Sequence, residues 1–164
     1  MTVYATRWFG LALATTVLAF AGCTYLGVPT GDDKVKANTL EQEIASYKDW
    51  KTPDWVEGFT ESVHPLPAYV KYYVNDAGMS DLDNPPDGSI FVKEQFDEDK
   101  QFIGLTVMKK IDGYDPENKD WYWAIADTDA RITNAGKLNS TWTSSCISCH
   151  KKGDGADDLL FVND

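Results

Sequence analysis

The sequence predicts an α+β, β-rich chain, mainly an antiparallel sheet with short helices. Three observations predict it. Runs rich in tyrosine, valine, phenylalanine and tryptophan recur from residue 68 onward, the composition that suits a pleated, half-buried surface. The separators between these runs are short and loaded with Gly, Pro, Asn and Asp, as in Pro85-Pro86-Asp87-Gly88 and Asp112-Gly113. Such separators make turns and leave no room for the crossover helices that parallel neighbours need. Helical spacing, by contrast, shows in one short stretch, where Leu40, Ile44 and Tyr47 share a face ahead of Pro53.

Taken in order, residues 1–22 read as an export signal. Arg7 is a lone positive charge before the apolar run Trp8 to Phe20, which is too short to span a bilayer. Leu18-Ala19-Phe20-Ala21-Gly22-Cys23 resembles a bacterial lipobox, in which Cys23 is acylated and becomes the mature N-terminus. The alternative is ordinary cleavage after Ala21. Both place the chain outside the cytoplasm, on the periplasm-facing membrane surface if Cys23 carries lipid and soluble in the periplasm otherwise. Residues 23–38 are polar, with Gly27, Pro29 and Gly31, and read as a flexible tether. The domain proper is expected over 39–164. Thr39-x-x-Gln42 is a capping box that starts a short helix. Strands are expected at Ala68 to Asn75, Ser89 to Phe96, Phe102 to Lys109 and Trp121 to Ala126, with a weaker one at Ala130 to Thr133. Asp97-Glu98-Asp99 is expected to form a hairpin loop.

The chemistry concentrates near the other end. Cys146-Ile147-Ser148-Cys149-His150 is Cys-x-x-Cys-His, the attachment pattern of a c-type haem. Each thiol can add across one haem vinyl group, and the adjacent imidazole can ligate iron. The rival readings fare worse. A thioredoxin-like pair expects a βαβ context. A zinc site expects a second Cys/His pair, and His64 is isolated far upstream. A plain disulfide leaves His150 unexplained. The assignment uses all three cysteines: Cys23 for lipid, Cys146 and Cys149 for haem. Stability then comes from a core and the cofactor. The formal net charge of −11 argues against nucleic acid and against anionic lipid as partners. A neutral or cationic small substrate, or a basic redox partner, fits better.

Several segments together resemble the cytochrome P-460 family, which includes the P-460 enzymes and the cytochromes c-prime-beta. They are His64-Pro65, Tyr73-Val74-Asn75-Asp76, Asp87-Gly88-Ser89-Ile90-Phe91-Val92-Lys93-Glu94 and Val107-Met108-Lys109-Lys110. Tyr114-Asp115-Pro116, Asp120-Trp121-Tyr122-Trp123-Ala124 and the haem motif follow. The resemblance spans residues 55–162. It implies a β-rich antiparallel fold, a homodimer, and one pentacoordinate haem c on His150. Lys93 matches the lysine that P-460 enzymes bond to a haem meso carbon. Alternation puts Phe91, Lys93 and Gln95 on one face of their strand and Ile90, Val92 and Glu94 on the other; a mid-strand lysine otherwise guards an edge or faces water.

Two activities follow from the resemblance. Hydroxylamine oxidation, with electrons passed to another cytochrome, needs a proton acceptor over the iron. Its position is open; Glu94, Asp127 and Asp129 are the candidates, and the alternative for each is a solvent-facing or turn-capping role. Nitric oxide capture needs an aromatic pocket instead, for which Phe91, Phe102, Tyr122, Trp123 and Trp142 are available, although aromatics also simply fill cores. A sixth ligand from His64, Met79 or Met108 would make the protein a simple electron carrier.

Overall fold

The strand-forming runs assemble into one six-stranded antiparallel sheet in the computed structural model, which describes residues 28–54, 56, 58–62 and 67–137. Spatial order follows chain order through β1 (Thr60–Glu61), β2 (Tyr69–Val74), β3 (Ile90–Phe96), β4 (Phe102–Lys110), β5 (Trp121–Ala126) and β6 (Ile132–Gly136). The result is a meander, as short turn-rich connections dictate. With its few short helices the chain is α+β and β-rich. The export signal, Cys23 and the haem motif lie outside the described residues.

Strands β2 to β5 fall where the sequence puts them, to within a residue at each end. The last strand does not. It was expected at Ala130 to Thr133 and forms at Ile132–Gly136. The reason is a tight turn: Asp127 Oδ1 accepts from the backbone N–H of Asp129 at 2.9 Å and of Arg131 at 3.0 Å. Ala130 sits in the left-handed region at φ 60°, so the strand cannot start until the turn has closed. The loop Asp97-Glu98-Asp99 is a hairpin loop as expected, with Gln101 N–H donating to Asp97 Oδ1.

The first helix also departs from expectation. Helix α1 spans Gly31–Glu43, so residues 31–38, read as tether, are helical. Thr39 lies inside it and donates back to the Val35 carbonyl at 3.1 Å rather than capping a start. Two features favour the earlier beginning. Asp32 and Asp33 occupy the first turn, where carboxylates suit the helix dipole. Ala37 extends the buried stripe of Leu40 and Ile44 toward the N-terminus. Asp33 also ties this end to the sheet: its Oδ1 accepts from Tyr114 Oη and its carbonyl from Tyr122 Oη, both at 2.8 Å. A 3-10 segment, Ile44–Asp49, carries Tyr47 and ends ahead of Pro53.

A second short helix, α2 (Asp76–Ser80), follows β2. Asn75 caps it and does more: its Oδ1 accepts from Gly78 N–H and Ile90 N–H, while Nδ2 donates to the Gly88 carbonyl. One side chain thus fixes the helix start and the entry into β3. Gly78 permits close approach, since a Cβ there would lie 2.6 Å from Val74 Cγ1 and 3.2 Å from the Phe91 ring. No helix among the described residues is long and apolar enough to cross a membrane.

Side-chain alternation divides the sheet into two faces. α1 and the 3-10 segment cover one of them, where Leu40, Ile44 and Tyr47 pack on Ile90, Val92, Leu105, Val107, Tyr122 and Ala124. The other face carries Lys93.

Candidate functional site

Strand β3 reads Ile-Phe-Val-Lys-Glu-Gln-Phe and alternates buried and half-buried along its length. Lys93 is its central residue. Cross-strand register places it in a row that runs straight across the sheet. Tyr72 pairs with Lys93, Lys93 with Thr106, Thr106 with Ile125, and Ile125 with Asn134. A second row lies directly beside the first: Val74, Phe91, Met108, Trp123 and Gly136. The first row is largely polar and the second wholly apolar. The face therefore sets a half-buried amine beside a floor of Phe91, Met108 and Trp123. Burial pushes the Tyr72 phenol above its ordinary range. Gln95, one step along β3 on this face, donates to Thr106 Oγ1.

Glu94 points the other way and faces the helices. It is 4% exposed. Tyr47 Oη donates to its Oε1 at 2.7 Å and Tyr73 Oη to its Oε2 at 3.3 Å. Lys48 Nζ stands 3.7 Å from Oε1. Burial first, and then the Glu94 carboxylate, raise the pKa of both tyrosines. This is a correction to the expectation that Glu94 meets solvent or caps a turn. Its residue type gave no warning, because the partners lie 47 and 21 residues away in the chain. Asp127 does cap a turn, and Asp129 is exposed in the same turn.

The aromatic wall candidates separate between the faces. Phe91 and Trp123 share the Lys93 face. Tyr122 is fully buried on the helix face, and Phe102 packs against the same helix-side core. Those two lie on the side away from Lys93: Tyr122 alternates with Trp123 along β5, and the bulge in β4 between its Gly104 and Phe102 pairings turns Phe102 to the helix side. Trp142 lies outside the described residues. Of the sixth-ligand candidates, Met108 lies in the apolar row and is 7% exposed. Met79 is half-buried in α2, and His64 falls outside the described residues. So do Cys146, Cys149 and His150. No cysteine or histidine occurs among the described residues, and no group of three or more acidic residues there could hold a metal ion.

Sequence reasoning missed one residue on this face. Asn134 is 2% exposed, and its Nδ2 makes no hydrogen bond. The signal was the strand itself, which had been expected to end at Thr133. No protein-family model matches the chain, and no curated protein matches it.

Proposed function

We propose that this chain is an exported monohaem c-type cytochrome with an open iron site, working in the redox chemistry of small nitrogen species such as hydroxylamine. The observation that carries the reading is the motif Cys146-Ile147-Ser148-Cys149-His150. Two thiols two residues apart suit the two vinyl groups of one porphyrin, and the next residue supplies an imidazole for iron. Lys93 adds support from the described part of the chain. A flat porphyrin needs a flat apolar surface, and Phe91, Met108 and Trp123 form a contiguous apolar row next to the lysine. These residues fit the group. When bound, the haem supplies one-electron redox chemistry and a coordination position for a small ligand.

The chain's own residues have separable roles. Cys146 and Cys149 tether, and His150 ligates. The apolar row excludes water from the ring. Lys93 would present its amine toward the edge of a bound macrocycle. Cys23 anchors the mature protein to the periplasm-facing membrane through lipid, a second copy completes a homodimer, and electrons leave to a cytochrome-type partner. The net charge of −11 favours a basic partner.

One observation favours a second reading, nitric oxide capture without turnover. Neither row of the Lys93 face carries a carboxylate. Glu94 is turned away and held by two tyrosines, and Asp127 is committed to its turn. Hydroxylamine oxidation needs a proton acceptor, whereas nitric oxide binding needs none. A simple electron carrier requires Met108 or another side chain to close the iron.

The absorption spectrum and mass of exported, haem-matured protein test all three. A haem peptide with a third covalent link at Lys93 and a strongly red-shifted ferrous Soret band is the result expected of the enzyme. An uncrosslinked high-spin spectrum that shifts on adding nitric oxide moves the assignment to capture. A low-spin spectrum indifferent to ligands overturns the open site. Colourless protein with both thiols free overturns the whole reading.

A further inference from the structure

We infer that Tyr47 and Tyr73 form a redox-active pair, in which a one-electron oxidant takes an electron from a phenol while Glu94 takes its proton. Every residue involved lies in the described part of the chain, so the pair stands apart from the haem reading. Tyr47 Oη donates to Glu94 Oε1 at 2.7 Å, a short bond from a phenol to a carboxylate. Tyr73 Oη donates to the other oxygen, Oε2, at 3.3 Å. Both oxygens thus receive donors, as an ionised carboxylate does. The two rings also meet edge to face, with centroids 5.3 Å apart. Tyr47 and Glu94 are buried, whereas Tyr73 is half-buried. The pair therefore leads from the interior toward the surface.

A neutral phenol resists oxidation when its proton has nowhere to go, because the cation left behind is a strong acid. Here each phenol already points its proton at a base. Loss of one electron from Tyr47 reduces the oxidant and leaves a neutral phenoxyl radical, and the proton crosses the hydrogen bond to Oε1. The radical then moves on with no proton leaving the site. Tyr73 gives an electron to Tyr47 and its own proton to Oε2, and Tyr47 takes back the proton from Oε1. A carboxylate with one oxygen for each phenol is what permits this exchange. Simple deprotonation does not compete, since burial, and then the Glu94 carboxylate, keep both phenols protonated well above the usual range. Tyr114 gives a comparison within the molecule. It donates to Asp33 Oδ1 at 2.8 Å, but its edge-to-face neighbour Tyr122 binds the Asp33 carbonyl instead. Those two phenols share no carboxylate.

The test is electron paramagnetic resonance of purified, exported protein frozen after illumination with tris(bipyridine)ruthenium and persulfate, the one-electron oxidant. All samples carry Tyr114→Phe, which removes the other carboxylate-bonded phenol. A tyrosyl radical is expected in that background. Adding Glu94→Gln keeps an acceptor oxygen but removes the base, and should lower the radical yield by about tenfold or more. Tyr47→Phe with Tyr73→Phe should lower it as far, and Tyr47→Phe alone, the mildest change, should lower it as well. Urea midpoints show which variants are folded, and the folded ones decide. Absence of a tyrosyl radical in the background overturns the inference. So does a yield unchanged by Glu94→Gln, or a signal that survives removal of both hydroxyls and so belongs to other residues.

Discussion

The two faces of the sheet solve different problems with neighbouring residues. Lys93 and Glu94 are consecutive in β3, yet one joins a row running to Asn134 and the other is buried beneath the helical segments. On the helix face the buried Glu94 and the half-buried Asp33 both have partners. Glu94 has Tyr47 and Tyr73, and Asp33 has Tyr114 and Tyr122. Lys109 Nζ reaches both Glu43 oxygens at 2.6 Å. Polar groups satisfied in this way serve stability. On the Lys93 face, the Asn134 amide is buried with its donor unused.

The largest test of that division compares two substitutions one strand apart. Leu105 is fully buried and pairs with Glu94 on the helix face. Leu105→Ala should lower the unfolding free energy by about 3 kcal/mol, the usual cost of a cavity in a packed core. Lys93→Met should change it by less than about 1 kcal/mol, because a half-buried side chain away from the main core leaves no cavity. It should nonetheless abolish any third covalent link to haem. Urea unfolding and the mass of the haem peptide measure the two effects. A Lys93→Met variant as unstable as Leu105→Ala would make the lysine a packing residue and erase the contrast.

Glu94 gives a smaller and more specific effect. Replacing it with leucine strips the acceptor from the buried Tyr47 hydroxyl and the half-buried Tyr73 hydroxyl. The expected loss is about 2–3 kcal/mol, the cost of leaving such groups unsatisfied. Glu94→Gln keeps an acceptor oxygen and should recover at least half of the loss. Lys48 contributes little to either number, because it is 67% exposed and stands 3.7 Å away. The urea midpoints of the two variants decide the matter. Equal destabilisation by leucine and glutamine would mean that the charge, and not the acceptor, holds the tyrosines.

The sheet was legible in the sequence because its signal is local. Tyr69 to Val74 or Trp121 to Ala126 announce themselves by residue type and by the turns that bound them. The two-residue strand β1 and the five-residue α2 are too short for any period to show. α1 was misplaced because Thr39 and Gln42 imitate a start, while the true start depends on Tyr114 and Tyr122 meeting Asp33 from more than eighty residues away. The division of β3 into a Lys93 face and a Glu94 face follows from alternation alone and was visible. Which face the helices would cover was not, since that is settled by packing. Asn134 was hidden for a related reason: its strand begins only after the Asp127 turn, and a burial that depends on tertiary packing leaves no mark on an isolated Thr-Asn pair.

The smallest effect concerns the tyrosines that seal the helix face. Tyr47, Tyr73, Tyr114 and Tyr122 all have pKa values raised above the ordinary phenol value near 10, chiefly by burial and then by the carboxylates beside them. In the unfolded chain each phenol loses its proton near pH 10, whereas in the folded chain it keeps it. Above that pH the folded state binds more protons than the unfolded one, so stability is full below about pH 10 and falls as the pH climbs further. Tyr122→Phe should cost about 1 kcal/mol at neutral pH, through loss of the 2.8 Å bond to the Asp33 carbonyl. It also removes one of the groups responsible for the alkaline decline. The gap between variant and parent should therefore narrow as pH rises past 10, and urea unfolding across pH 7–11 reads that gap directly. Curves that stay parallel would mean that Tyr122 ionises as readily in the folded protein as in the unfolded chain, and that the helix face is less tightly closed than its burial indicates.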